Sequence, residues 1–155
     1  MTRWIHRARL LSRDRKGSAL VEFAIGSAVM VAVFTGTFQF GFTFLQYNNL
    51  ENAVARGARY ASVATYDSAT TTPSSAFQTA VQNMVLYGST TAGTSPVLPG
   101  LTTSNVTLTV TFTNGIPTAM TVAITGYTVN SVFTTFTLNN KPQVTCPYLG
   151  LWSPI

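Results

Sequence analysis

The chain has 155 residues, enough for one compact domain and a membrane segment. It is 46% hydrophobic and only 8% charged, with a net charge of +5 at pH 7. Six of its nine basic side chains fall in residues 1–17 with one acidic side chain, whereas residues 18–155 hold three basic and three acidic ones. The positive charge therefore belongs to an N-terminal tail and does not predict nucleic-acid binding by the body of the protein.

A long apolar stretch follows the basic tail directly. Residues 20–45 contain one formal charge, Glu22. As a helix this stretch would rise roughly 39 Å, more than the ~30 Å of a hydrocarbon core. It is also longer than the apolar region of a cleavable secretory signal. Since basic residues hold their flank in the cytoplasm, we predict a transmembrane helix over residues 18–46 behind a basic cytoplasmic leader, residues 1–17.

The helical pattern continues beyond the apolar stretch. Apolar residues recur at spacings of three and four, and polar or charged residues fill much of the other side. The helix is therefore expected to continue as an amphipathic segment to about residue 66, with the run before Pro73 ending it. Small residues on this segment allow another element to pack closely against it: Ala53, Ala55, Gly57, Ala58 and Ala61.

A second, shorter helix is expected over about residues 74–87. Thr72 or Ser74 can cap its start, and Gly88 suits its end. The predicted apolar face consists of Phe77, Ala80, Val81 and Met84. The Gly-, Pro-, Ser- and Thr-rich residues 88–105 that follow predict a loop.

The period then changes to two, which predicts β-strands over about residues 106–146. Val106 to Thr113 alternates apolar residues with threonine, and residues 120–124 form a returning strand. Asn114-Gly115 predicts a tight turn, although Pro117 favours a loop longer than two residues. A third strand over residues 127–138 and a short fourth strand over residues 143–146 complete the predicted strands. The predicted fold is α+β: a small antiparallel sheet on the amphipathic half of the long helix, within an extracytoplasmic domain over 47–155.

Three features of this domain bear on its contacts. Its nearly uncharged, Thr-rich surface fits a tethered or packed protein better than a free soluble one. The single Cys146 can pair between chains or lie buried as a small apolar group. An aromatic and apolar cluster near the C-terminus could contact a partner, although packing onto the domain is favoured: Tyr148, Leu149, Leu151 and Trp152.

Two residues stand out at the head of the transmembrane helix. Gly17 has no side chain at the junction of tail and helix, where a protease could bind an extended chain closely. Glu22 places a carboxylate inside the apolar stretch, which is costly in a bilayer and marks a functional candidate. Alternatively, Gly17 is an ordinary glycine before a helix, and the Glu22 carboxylate reaches water at the lipid headgroups.

These residues also carry a resemblance to a known family. Gly17 followed by SALVEF resembles the type IV prepilin processing site, a Gly, four residues, then Glu and an aromatic residue. With residues 39–41 (QFG) and 52–61 (NAVARGARYA), the segment 16–64 resembles the TadE-like pseudopilins of tight-adherence (Flp) pilus systems. Where the family often has an acidic residue before the mid-helix Gly, this chain has Gln39. Residues 65–155 are interpreted from pattern alone.

The resemblance implies a function and a set of site residues. A prepilin peptidase would cut between Gly17 and Ser18 and remove the leader with its basic residues Arg13, Arg15 and Lys16. Glu22 would then meet the new α-amine of a neighbouring subunit. The implied partners are this peptidase, other pilin and pseudopilin subunits, the pilus assembly machinery of the bacterial inner membrane, and the lipid bilayer.

The expected protein is thus a minor pilin or pseudopilin, with its N-terminus in the cytoplasm and its C-terminal domain outside. The alternative is an uncleaved single-pass membrane protein whose outer domain binds a partner or the cell wall. We expect no enzymatic activity, no cofactor and no metal site, because the sequence has one histidine and no paired acid–base residues.

Overall fold

A computed structural model describes residues 15–130 and 135–154. The chain divides into two compact units between Phe38 and Gln39. Arg13 of the predicted leader lies outside the described residues, and only the helical backbone is described for Arg15 and Lys16. In chain order the elements are α1 (Arg15–Val63), α2 (Ser75–Tyr87), β1 (Val106–Thr113), β2 (Ile116–Ile124), β3 (Tyr127–Asn130), β4 (Thr135–Leu138) and β5 (Gln143–Pro147).

Helix α1 is continuous, because no proline interrupts its sequence. In the second unit one face of α1 is fully buried and the other is open to solvent. Glu51 and Arg59 lie on the exposed side. This confirms the predicted amphipathic half, whose buried face consists of Leu50, Ala53, Val54, Ala58 and Ala61.

The end of α1 differs from the prediction. The helix stops at Val63, well before the threonine run that precedes Pro73. Tyr66 instead forms an isolated parallel bridge with Trp152. Its N–H donates to the Leu151 carbonyl at 2.9 Å, and its own carbonyl accepts from Ser153 N–H at 3.0 Å. Hydrogen bonds to the C-terminal segment thus replace the next helical turn, and no local pattern predicts them.

Helix α2 begins and ends at defined caps. Ser74 is the N-cap, and its hydroxyl accepts from Phe77 N–H at 3.1 Å. Gly88 adopts a left-handed φ of 71° and donates its N–H to Met84 O. The predicted face is partly wrong, because Ala80 and Met84 are only half-buried. The buried residues of α2 are Phe77, Val81, Asn83, Val85 and Leu86.

Strands β1 and β2 form an antiparallel hairpin. Asn114 and Gly115 have φ values of 53° and 78°, so they make a two-residue turn by themselves. The expected longer loop is therefore wrong. Pro117 is accommodated in β2 by a register shift, which places it opposite Phe112. A residue without an N–H is tolerated at such an irregularity because the hydrogen-bond ladder is already interrupted there.

The single strand expected over residues 127–138 is also wrong. β3 and β4 pair antiparallel as a separate two-stranded sheet, with Tyr127 opposite Leu138 and Asn130 opposite Thr135. Residues 131–134, which join them, lie outside the described residues. A straight strand of that length would extend roughly 40 Å, longer than β1 or β2. Folding back keeps Tyr127 and Val129 buried.

The remaining sheet has the order β1-β2-β5, with β5 antiparallel to β2. Its inner face packs against the second half of α1 and against α2 in one core cluster, which confirms the α+β fold with a small antiparallel sheet on the long helix. The fully buried larger side chains of this core are Tyr66, Leu50, Leu86, Met120, Ile124, Val54, Val81, Val85 and Val122.

Candidate functional site

The predicted processing site lies in the first described residues of α1. Gly17 is helical, and a Cβ built on it would meet nothing within 4 Å. The Ser18 hydroxyl donates to Glu22 Oε1 at 3.2 Å, one turn further along. All three residues are exposed. The structure therefore places the processing and charge candidates close together on an exposed part of α1.

The sequence favours Gly17 just before the helix, whereas the structure shows it as helical. Glycine is the poorest helix former after proline, so the helical conformation is less favourable at Gly17 than at the residues beside it.

The apolar half of α1 leaves its side chains uncovered. Phe23, Phe34 and Phe40 are 75%, 74% and 76% exposed. A soluble domain rarely leaves so continuous an apolar surface in water. The same holds for Leu20, Val21, Ile25, Val29, Met30, Val31, Val33, Phe38, Phe44 and Leu45, each more than half exposed.

Hydroxyl groups in this half of α1 bond back to the helix itself. Ser27 donates to Ala24 O at 2.9 Å, and Thr37 donates to Val33 O at 3.0 Å. Lipid offers no hydrogen-bond partner, so a membrane helix must satisfy its polar groups internally or against another protein. These two side chains meet that requirement within one chain.

Within the described residues, α1 is the one helix long and apolar enough to cross a membrane. Its most apolar window of 18 residues has no buried residue, unlike the core helix of a soluble protein. The apolar stretch also exceeds the length of a secretory signal core. This half of α1 is therefore a candidate membrane span, which is compatible with a membrane location.

The end of α1 is held by residues 148–153, which we call the C-terminal clasp. Leu149 N–H donates to Ser62 O at 2.8 Å. The Trp152 indole N–H donates to Ser68 O at 3.0 Å. With the bridge at Tyr66, these bonds fix the chain where it leaves the helix.

The predicted C-terminal cluster lies within the clasp, and its four side chains face two different sides. Tyr148 and Trp152 are half-buried against the core, which confirms packing onto the domain for these two. Leu149 and Leu151 are 78% and 68% exposed, so the same prediction is wrong for them. In an extended segment alternate side chains point to opposite sides. Cys146 is half-buried against the core and is not in a disulfide.

Tyr66 is the centre of an aromatic cluster under the clasp. It is fully buried, and its ring lies edge-on to Phe77, Phe112 and Tyr148 at centroid distances of 5.2, 6.0 and 6.4 Å. Its hydroxyl donates to Thr70 O at 2.7 Å. Burial raises the pKa of the phenols of Tyr66 and Tyr148. Both therefore stay neutral hydrogen-bonding groups at physiological pH.

Helix α2 packs closely against α1 at Gly57. A Cβ on Gly57 would collide with Val85 Cγ2 and would lie 3.6 Å from Val81 O. The absence of a side chain thus sets the distance between the helices. The sequence predicts a close approach along several small residues, and the structure shows that Gly57 is one where no side chain fits without displacing Val85.

Sequence reasoning missed Tyr66 altogether, because a tyrosine just past an amphipathic helix has no distinctive local signal. In the residues that the structure describes, no three of His, Cys, Asp and Glu come together to hold a metal ion. The features with functional potential are Gly17, Ser18 and Glu22 and the uncovered apolar surface.

Taken together, a long N-terminal helix, uncovered and apolar in its first half and packed on a small sheet in its second, defines a pilin-like α+β protein. Residues 17–59 match the family model for TadE-like protein. This segment, less than a third of the chain, is therefore similar to TadE-like proteins. Searches of curated proteins and of solved structures gave no match.

Proposed function

We propose that this chain is a minor pilin or pseudopilin that a prepilin peptidase cuts between Gly17 and Ser18, and that then takes part in assembly of a tight-adherence pilus. One observation carries the proposal: the TadE-like match begins at Gly17 and covers a helix whose apolar half is uncovered. Such a surface needs lipid before assembly and other helices after it.

The cut would change how the helix is held in the membrane. The leader carries the basic residues Arg13, Arg15 and Lys16. In an inner-membrane protein with a cytoplasmic N-terminus, these charges resist passage through the bilayer. Their removal leaves an apolar helix that can move out of the membrane into a bundle of similar helices.

Glu22 would supply the charge that orders this bundle. Its carboxylate already accepts a hydrogen bond from Ser18, the residue that would carry the new α-amine. A buried carboxylate or a buried ammonium alone is costly, whereas the two together compensate each other. A neighbouring subunit that offers its α-amine to Glu22 would therefore dock in one register.

The Glu22→Gln variant tests this function. It should be processed at the normal rate but should assemble poorly, because leaving a buried charge without its partner costs about 3–5 kcal/mol. Surface pili are counted by electron microscopy in cells whose only copy of the chain carries the substitution. We expect most pili to be lost while the processed chain accumulates in the membrane.

Glu51→Gln is the matched control, since Glu51 is an exposed glutamate on the second half of the same helix. It should assemble like the natural protein. Equal pilus numbers in all three strains would contradict the proposal. That result would favour the alternative, an uncleaved single-pass protein whose outer domain binds a partner or the cell wall.

A further inference from the structure

We draw no further inference here: the strongest candidate, the apolar surface patch that the exposed side chains of Leu149 and Leu151 present on the C-terminal clasp, carries no proposal because nothing in the structure shows what covers it.

Discussion

The Tyr66→Ala variant should lower the free energy of unfolding by about 3–5 kcal/mol, the usual loss when a large aromatic side chain is removed from a core. Tyr66 is fully buried and lies edge-on to three aromatic rings. Its removal leaves a cavity where the helix, the sheet and the clasp meet. Denaturant unfolding of the full-length protein in detergent, followed by near-ultraviolet circular dichroism, measures the change.

Tyr66→Phe is the control for this prediction. It keeps the ring and its packing and removes only the hydroxyl that donates to Thr70 O. We expect a loss of about 1 kcal/mol, the typical net value of one hydrogen bond. If the two variants lose equal stability, the hydroxyl and not the packing of the ring stabilises this region. That result would contradict a stabilising role for the aromatic cluster.

Gly57→Leu should also destabilise the domain strongly. Any Cβ at this position collides with Val85, so a larger side chain must push α2 away from α1. Overpacking a core typically costs about 1–3 kcal/mol, and we expect the upper end because α2 backbone also lies close by. The same unfolding measurement, together with limited proteolysis of α2, detects the loss.

Gly41→Leu is the matched control on the same helix. A Cβ at Gly41 meets nothing within 4 Å. Replacing a helical glycine with leucine should therefore raise helix stability slightly. Equal destabilisation by the two substitutions would show that the effect at Gly57 comes from the backbone and not from its contact with Val85.

Features set by local periodicity were predictable from the sequence. The buried face of α1 around Leu50 and Val54 follows a three- and four-residue spacing, and β1 follows strict alternation. Gly88 was recognisable as a helix end because a left-handed residue is needed there. These signals act within a few residues, so a single sequence carries them in full.

Features set by distant contacts were not predictable. The end of α1 at Val63 depends on hydrogen bonds between Tyr66 and the clasp, more than 80 residues away. Pro117 correctly signalled an irregularity but in the wrong place, since the register shift within the hairpin absorbs it. The break between β3 and β4 left no Gly or Pro in the sequence to mark it.

The candidate site depends on local signals as well. Gly17, Ser18 and Glu22 were recognisable because their spacing lies within one short motif. The uncovered state of the apolar helix is also expected from its composition.

The central claim is that the chain is cut between Gly17 and Ser18. Intact-mass spectrometry of the protein from its native cell envelope, in cells with a working prepilin peptidase, tests it most directly. We predict a chain that begins at Ser18 and lacks the basic leader. A full-length chain that still begins at Met1 in those cells would contradict it.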